Sequence, residues 1–332
     1  MGERPVGILG TGSRLPDNEV GNAEIAARVG VTEQWIEERT GIRARRFVAA
    51  DEATSDLAAG AGERALKAAG VAAGDIDFLI VSTSTPDSPQ PPTAYHVQRR
   101  LGAWGAVCFD VNVVCSGFVY ALSIARSLIA QRPGSRALVV GADVYSRILD
   151  FSDRRTAVLM SDGAGAAVLG EVGAPYGFVD FELASRGDAH GLIRVEAGGS
   201  RLPASRRTVA EGGHHFRMDG RGVRNFVLEQ LPGFLDGLYR RAGVGREQID
   251  HFVPHQPNGV MLTQIVERCG LSAARTHRTL ERYGNPGTAA VAVTLDAACR
   301  QGHFHDGDLV LIAGFGGGMS MGAALIRWGV TA

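Results

Sequence analysis

The sequence predicts an α/β fold built from two related halves. Two observations support this prediction: short apolar runs alternate with longer helical runs, and part of the pattern recurs at a fixed offset. Alternation of this kind is typical of α/β proteins. The chain has 332 residues, of which 45% are hydrophobic and 21% charged, so it can bury a large core.

The predicted elements run through the whole chain in order. Strands are predicted at 6–9, 77–82, 137–141, 165–169, 251–254, 309–313 and 323–326. Helices are predicted at 22–29, 34–39, 57–69, 117–131, 224–242, 260–269 and 288–300.

The repeat has an offset of 173 residues. Residues 69–77 recur as residues 242–250, with Ala-Gly-Val and Ile-Asp in the same places. The same offset places the apolar run 137–141 on 310–314. Several matches at one offset indicate that one α/β unit has been duplicated.

The duplication predicts an N-terminal half, 1–173, and a C-terminal half, 174–332. Equivalent loops of two such halves meet near a pseudo-two-fold axis. A site at that axis would draw residues from both halves, and the offset places Asn112 on Asn285.

Charge and cysteine content exclude several classes of function. The net charge is −1, which argues against nucleic acid or an anionic membrane as the main partner. The four cysteines form no C-x-x-C pair, so no metal site is predicted. No signal segment and no apolar run of membrane-spanning length are recognised, and we expect a cytoplasmic protein.

A candidate nucleophile lies at a predicted strand-to-helix corner. The apolar strand 111–114 ends at Cys115, and a helical run begins directly after Gly117. Unpaired N–H groups and the helix dipole at such a corner favour a thiolate. Taken alone, this segment would equally suit a buried and inert core cysteine.

Two further candidates lie in the C-terminal half. His255 follows the predicted strand 251–254 and precedes a helix, a common place for a site in α/β proteins. Asn285 lies in a Gly-Asn-Pro-Gly turn that the repeat matches to the Cys115 corner. Each could also be structural, as a hydrogen-bonded histidine or an asparagine that caps a helix.

A glycine-rich loop, 314–318, follows the predicted buried strand 309–313. Glycines let backbone N–H groups approach a ligand, so this loop can form one arm of an oxyanion hole, with the Cys115 N–H as the other. The overlapping segment Gly318–Gly322 matches the G-x-S-x-G elbow of serine hydrolases, but no Asp, Glu or His follows Ser320.

Motifs are spread along nearly the whole chain. They are Gly10-Thr11-Gly12, Trp35-Ile36, Arg39–Arg43, Cys115–Phe118, Ser161–Ala166, His255–Asn258, Gly284-Asn285 and Phe315–Gly318. In combination they resemble the β-ketoacyl-acyl-carrier-protein synthase III family of the thiolase superfamily. The resemblance implies a thiolase-like fold, in which two duplicated α/β halves form α-β-α-β-α layers.

The resemblance also implies an acyltransferase of the EC 2.3.1 class, with Cys115, His255 and Asn285 as catalytic residues. Cys115 would take an acyl group from acyl-CoA, and the N–H groups of Cys115 and Gly317 would bind the oxyanion. His255 and Asn285 would stabilise the enolate that forms when a malonyl thioester loses CO2. That carbanion would then attack the acyl-cysteine in a decarboxylative Claisen condensation, giving a β-ketoacyl thioester.

Substrate contacts and partners are implied in the same way. CoA or substrate contacts are implied at Trp35, Arg39, Arg154, Met218, Gly220, Asn258 and Phe315. No permanently bound cofactor is implied, since acyl-CoA and a malonyl thioester are substrates. Members are homodimers, and an acyl carrier protein is an expected partner.

Several positions depart from the housekeeping members of the family. Met160 stands where an aromatic residue is common, and Gln90 falls near an acyl-pocket position that is often Phe. Val260 and Asn225 stand where basic residues often dock the carrier protein. We therefore expect a specialised member from a natural-product pathway.

One alternative function stays open. Cys115 could pass its acyl group to an alcohol or amine without decarboxylation. Asn285 favours condensation, because a simple acyltransferase needs a general base more than an enolate stabiliser. The loop histidines, among them His303, are expected to be solvated and not to bind metal.

Overall fold

The structure, a computed structural model, describes residues 5–329. Its strands are β1 Val6–Arg14, β2 Glu19–Gly21, β3 Ala44–Arg46, β4 Phe78–Ser82, β5 Val107–Val111, β6 Ala137–Val144, β7 Asp162–Glu171, β8 Gly177–Ser185, β9 Ile193–Arg194, β10 Arg217–Met218, β11 His251–Pro254, β12 Arg275–Thr276, β13 Leu309–Gly316 and β14 Ser320–Arg327. Its α-helices are α1 Asn22–Val29, α2 Glu33–Thr40, α3 Thr54–Ala69, α4 Thr93–Leu101, α5 Gly117–Gln131, α6 Arg206–Ala210, α7 Gly220–Ala242, α8 Gly259–Arg268, α9 Leu280–Tyr283 and α10 Ala289–Arg300.

Most of these strands form two five-stranded sheets of mixed direction. The first has the order β1-β7-β6-β4-β5 and the second β12-β11-β13-β14-β8. In the first sheet β4 runs parallel to β5 and β6, and in the second β11 runs parallel to β12 and β13. The first sheet uses residues 6–171 and the second 177–327. The division of the chain into two domains at residue 173 stays a prediction.

The sheets and helices form five layers, as the predicted fold class requires. Helices α5 and α10 share one apolar core with residues of both sheets, so they form the middle layer. Helices α3 and α4 pack on the first sheet, and α7 and α8 pack on the second. The order α-β-α-β-α buries both faces of each sheet, which suits their nearly continuous apolar strands.

The 173-residue offset relates the two sheets element by element. It places β4 on β11 and β6 on β13. Within the first sheet β4 lies beside β6, and within the second sheet β11 lies beside β13 in the same way. It also places the 3₁₀ turn Ala73–Asp75 on Arg246–Gln248. The equivalent helices α3 and α7 both end at a left-handed glycine, Gly70 with φ 64° and Gly243 with φ 66°. The predicted duplication is therefore confirmed at the level of local geometry.

One segment is long and apolar enough to cross a membrane by length and composition alone. It is Val114–Gln131 among the described residues, and it contains Arg126 and several polar side chains, so it is not an uninterrupted apolar run. In the structure this segment is mainly α5, whose apolar side chains, including Phe118, Leu122 and Ile129, are buried between the two sheets. Its composition is thus that of a core helix that is covered on both sides.

Candidate active site

The chain turns more tightly before Cys115 than the sequence predicts. Strand β5 ends at Val111, so the predicted strand 111–114 is wrong. The chain turns at Asn112, whose Oδ1 accepts a hydrogen bond from the Val114 N–H at 3.4 Å. Val114 then has φ 45°, which is unfavourable for a β-branched residue. This strained turn presents Cys115 just before α5.

Cys115 is a buried thiol with two backbone donors. The backbone N–H groups of Cys115 itself and of Gly317 lower the pKa of this thiol. Burial outweighs them, and the negative charge of Asp143 adds to burial, so the pKa of Cys115 is raised to about 12. The thiol is therefore protonated at neutral pH, and the role of the two N–H groups as oxyanion donors stays a prediction.

The end of β13 packs directly onto the nucleophile. A Cβ at Gly316 would lie 2.6 Å from Cys115 Cβ and 2.8 Å from its Sγ. A Cβ at Gly314 would lie 2.8 Å from the Cα of Ser116. These positions need glycine because the backbone of β13 must lie against the Cys115 corner for the Gly317 N–H to reach the sulfur.

Ser320 supports this loop and is not placed as a hydrolase nucleophile. It begins strand β14, whereas the G-x-S-x-G elbow requires a helix after the serine. Its Oγ donates to the Gly317 carbonyl at 3.0 Å and also hydrogen-bonds the Ser116 hydroxyl. Ser320 therefore links the glycine loop to the nucleophile corner.

His255 is neutral and has an unpaired ring nitrogen. Its backbone N–H donates to the Ala313 carbonyl at 2.7 Å, which fixes it beside β13. Its ring packs edge-on against Phe315, with centroids 5.4 Å apart. Burial lowers the pKa of His255 to about 3, and its Nδ1 is buried without a hydrogen-bond partner in the described chain. Such a nitrogen is available to a ligand.

Asn285 is held by its backbone and oriented by its own turn. Its N–H donates to the Leu159 carbonyl at 2.9 Å, and its carbonyl accepts from the Ser161 N–H at 3.0 Å. Its side-chain Oδ1 accepts from the Gly287 N–H at 3.1 Å. Because the oxygen is used within the turn, the Nδ2 group is the one that can donate to a ligand.

A cleft of about 260 Å³ connects the surface to Asn285. It is lined by most of the predicted substrate contacts, namely Trp35, Arg39, Arg154, Met218, Gly220 and Asn258. The guanidinium groups of Arg39 and Arg154 lie 5.0 and 5.6 Å from the Trp35 ring centroid, so cation and aromatic face meet at the mouth. Phe315 is the exception, because it packs against His255 and is not among the lining residues.

Sequence reasoning missed several residues of this region. Further lining residues of the cleft are Thr40, Arg155, Val158, Leu159, Val223, Pro257 and Met261. Asp143 was also missed, although it lies near the carboxyl end of the predicted strand 137–141, where α/β proteins often place functional groups. It is fully buried and acts electrostatically on Cys115.

His303 is not a solvated loop histidine, and this expectation is wrong. Its Nδ1 lies 3.4 Å from Nδ1 of His277, and its Nε2 lies 2.8 Å from a guanidinium nitrogen of Arg275. His277 in turn contacts His251 at 3.0 Å, and burial together with these neighbours lowers the pKa of His277 to about 4. Within residues 5–329 no group of His, Cys, Asp and Glu is arranged to hold a metal ion.

The fold and the site together define an acyl-transferring condensing enzyme of the thiolase-fold class. Two family models match the chain: 3-oxoacyl-[acyl-carrier-protein] synthase III over residues 109–187, and the C-terminal part of that synthase over residues 239–328. The chain belongs to this synthase III family. It is a ketosynthase III-type enzyme, and enzymes of this type are acyltransferases.

Individual relatives cover almost the entire chain. Acetoacetyl CoA synthase NphT7 from Streptomyces sp. (strain CL190) is 51% identical over 97% of this chain and 98% of its own length. The crystal structure of 3-oxoacyl-(acyl carrier protein) synthase III from Pseudomonas aeruginosa PAO1 has a TM-score of 0.90 at 34% identity, covering 99% of this chain and 100% of that one. The priming β-ketosynthase of the R1128 polyketide pathway has a TM-score of 0.90 at 33% identity, covering 98% and 97%.

Proposed function

We propose that Cys115 accepts an acyl group from acyl-CoA and donates it to a malonyl-derived carbanion. The observation that supports this most directly is the close packing of the end of β13 on Cys115, where a Cβ at Gly316 would lie 2.8 Å from the sulfur and the next residue is Gly317. The N–H groups of Cys115 and Gly317 also lower the pKa of the thiol. Two fixed donors at this position can bind the oxyanion of a tetrahedral intermediate. In the first step the sulfur forms a thioester with the acyl carbon, and CoA leaves as its thiol.

The second step uses two neutral donors, Asn285, which lines the cleft, and the buried His255. The malonyl carboxylate leaves as CO2, and its electron pair remains as an enolate on the thioester. Asn285 Nδ2 and a ring N–H of His255 stabilise that charge. The carbanion then forms a carbon–carbon bond to the acyl carbon, and the Cys115 thiolate leaves and takes up a proton. A histidine held neutral by burial suits this role, because it can donate without first having to lose or gain a charge.

The second substrate is a malonyl thioester of CoA in preference to one of a carrier protein. The relative that is 51% identical is named as an acetoacetyl CoA synthase, which supports acetyl-CoA and malonyl-CoA as the pair. Val260, which is 48% exposed, and the exposed Asn225 replace basic residues that often dock the acidic carrier protein. The cleft mouth, with Trp35, Arg39 and Arg154, offers an aromatic face and two cations for the nucleotide end of CoA. This choice fits a role in a specialised pathway.

The enzyme acts as a homodimer in the cytoplasm. Strand β5 is the outer strand of the first sheet, and Val107 at its start is 57% exposed. Tyr95 and Trp104, on the neighbouring helix and loop, are 50% and 71% exposed. An apolar edge strand is a template for pairing with a second copy, and the 86–97 segment would then reach the partner's acyl pocket.

The test is a two-stage mass measurement on the purified protein. Acetyl-CoA alone is expected to add one acetyl group to Cys115, and Cys115→Ala is expected to take up none. Malonyl-CoA added next is expected to release CO2 and yield acetoacetyl-CoA, at a higher kcat/KM than malonyl-carrier protein. No acylation of Cys115 by any acyl-CoA would refute the proposal. Acylation followed by transfer to an alcohol or amine, without CO2, would support the alternative acyltransferase.

A further inference from the structure

The 173-residue offset gives each part of the candidate site a counterpart in the other half of the chain. The counterparts of Cys115, Gly316, Gly317, His255 and Asn285 are Thr288, Asp143, Val144, Ser82 and Asn112. All five lie on equivalent strands and loops of the duplicated unit. The chain therefore contains a second, degenerate copy of the site geometry.

Contacts within the two copies match closely. A Cβ at Gly314 would lie 3.1 Å from the Cys115 carbonyl oxygen, and a Cβ at the equivalent Gly141 would lie 3.0 Å from the Thr288 carbonyl oxygen. The two equivalent asparagines make the same turn, because each Oδ1 accepts the N–H two residues later. The second copy thus keeps the backbone arrangement that forms the oxyanion hole in the first.

The two copies differ in what occupies the space beside the nucleophile position, which is Cys115 in the first copy and Thr288 in the second. In the first, Gly316 leaves space beside the Cys115 sulfur. In the second, the side chain of Asp143 occupies the equivalent space, and its Oδ2 accepts the Thr288 N–H at 2.9 Å. The other equivalent donor, the Val144 N–H, is bound by Thr85 Oγ1 at 2.7 Å. Both donors that could have held an oxyanion are therefore satisfied within the protein.

The second oxygen of Asp143 is held from the opposite side. Its Oδ1 accepts the Ser84 N–H at 2.8 Å and the Ser84 hydroxyl at 2.9 Å. The hydroxyls of Thr83 and Thr85 add two contacts of 3.2 Å each. The carboxylate is thus a fixed bridge between the 83–85 loop of the N-terminal half and the first residues of α10 in the C-terminal half.

This bridge bears directly on Asn285. Gly287, between Asn285 and Thr288, packs so closely on Asp143 that a Cβ there would lie 2.3 Å from Oδ2. The N–H of the same Gly287 donates to Asn285 Oδ1 and so sets the direction of the Asn285 amide. Any shift of the 287–288 backbone would turn the amide donor away from the substrate.

We propose that Asp143 is a positioning residue, which fills the oxyanion hole of the degenerate copy and thereby fixes the 285–288 turn that aims Asn285 Nδ2. This inference rests on the proposed function, because it assigns to Asp143 the alignment of the enolate-stabilising donor. It also carries an electrostatic cost, since the Asp143 charge opposes formation of the Cys115 thiolate. The charge of Asp143 therefore disfavours acylation of Cys115, while its hydrogen bonds favour decarboxylation by fixing Asn285.

The test compares Asp143→Asn with a matched buried carboxylate, Asp296→Asn. Asp296 is 1% exposed and accepts hydrogen bonds from Thr11, Ser13 and Arg300, further along α10. In Asp143→Asn one carboxylate oxygen becomes an NH2 group, which must face either the Thr288 N–H or the Ser84 N–H. Two donors cannot hydrogen-bond each other, so one side of the bridge between the two halves is lost. Hydrogen exchange of the peptide covering 284–290 is expected to accelerate in Asp143→Asn and to stay unchanged in Asp296→Asn.

The kinetic readout separates the two steps. Asp143→Asn is expected to slow decarboxylation of malonyl-CoA by about 100-fold, the cost of a small misplacement of a catalytic group, and to slow acylation of Cys115 much less. Because the Asp143 charge that raises the pKa of Cys115 is lost, the pH dependence of the alkylation rate of this thiol is expected to shift to lower pH. A purely structural role would reduce both steps together.

Each outcome decides the inference. Unchanged exchange at 284–290, or equal losses in acylation and decarboxylation, would overturn it. Exchange needs no substrate, so it decides the role of Asp143 even if the wild-type protein fails to decarboxylate a malonyl thioester. That failure would count against the proposed function alone.

Discussion

Burial raises the pKa of the Cys115 thiol, while neighbouring backbone N–H groups lower it. Two N–H groups favour the thiolate, but burial and the Asp143 charge raise the pKa of Cys115 to about 12. The sulfur thus reacts through a minor thiolate population. Under the proposed function, its reactivity depends on the N–H groups proposed to hold the oxyanion, and not on a low pKa.

The first prediction concerns the pH dependence of this thiol. Alkylation of Cys115 by iodoacetamide is expected to accelerate about tenfold for each pH unit between pH 7 and 10, because the thiolate fraction rises without reaching a plateau below the pKa. The rate is followed by mass spectrometry of the peptide that contains Cys115. A plateau below pH 8 would contradict the prediction.

The second prediction concerns His255 and stability in acid. Its pKa is about 3 in the folded protein and near 6.5 when exposed, so the unfolded chain binds a proton between these values and the folded chain does not. Stability is therefore complete above about pH 6.5 and falls as the pH decreases, by up to about 1.4 kcal/mol per unit for this one group. Urea unfolding at pH 7, 6, 5 and 4 measures how steeply the free energy of unfolding decreases with pH.

A variant isolates the His255 contribution to that slope. His255→Gln removes the titrating ring, so its free energy of unfolding is expected to decrease less steeply from pH 6.5 downward. His190→Gln, at an exposed histidine, is the matched control. Equal slopes in wild type and His255→Gln would show that His255 does not titrate in this range.

The residues that sequence reasoning found are those with a distinctive chemical type at a strand or loop end. Cys115, His255 and Asn285 were selected as candidates in this way, and the structure places Asn285 on the cleft and the glycines of β13 against Cys115. Val114 could not be identified, because nothing in a valine signals a φ of 45°. That conformation results from the packing of β13 on the turn and not from local propensity.

At the scale of elements, the end of β13 determines the shape of the site. Its glycines let backbone atoms approach Cys115 more closely than any side chain would allow. The sequence indicated this loop through its run of glycines. It did not indicate that Ser320, at the start of the next strand, would connect the loop to Ser116.

The third prediction tests that close approach. In Gly316→Ala the new methyl would lie 2.6 Å from Cys115 Cβ, so the strand or the nucleophile must move. Cys115 acylation is expected to fall by about 100-fold, because the Gly317 donor no longer reaches the reacting oxygen. The rate of acetyl transfer from acetyl-CoA measures the loss.

The control is a glycine with free space around it. A Cβ at Gly233, within α7, would meet no atom within 4 Å. Gly233→Ala is expected to leave acylation unchanged and to raise the free energy of unfolding by about 0.5–1 kcal/mol, since alanine restricts the unfolded chain. Normal acylation by Gly316→Ala would show that the site tolerates a side chain there.

At the scale of the whole molecule, β5 is an edge strand of the first sheet, and the proposed dimer would pair this strand with a second copy. The fourth prediction is that the protein is a dimer at micromolar concentration and that Val107→Asp, on strand β5, makes it monomeric. A charge at an apolar edge opposes strand pairing. Light scattering after size exclusion gives the mass of each form.

An exposed valine elsewhere provides the comparison. Val209, on the short helix α6, is 67% exposed, so Val209→Asp is expected to leave the dimer intact. A monomeric wild type would contradict the proposed edge pairing.

The architecture was predictable from the sequence because the repeat leaves the same local signals twice. The Ala-Gly-Val runs mark equivalent helix ends at Gly70 and Gly243, and both have the left-handed conformation. The contacts between halves were not predictable in the same way. The Asp143–Thr288 hydrogen bond joins residues 145 positions apart, and no short-range pattern reports such a pair.

The matching turns at Asn112 and Asn285 bear on the ancestry of the enzyme. A single ancestral unit that associated with its own copy would have carried two identical reaction centres, one for each nucleophile. Once the two copies were joined in one chain, mutations could accumulate in one centre without altering the other. In this protein the descendant of the second nucleophile is Thr288, a helix-starting residue held by Asp143. Under the proposed function, one of the two centres would carry out the reaction, and the other would serve as its scaffold.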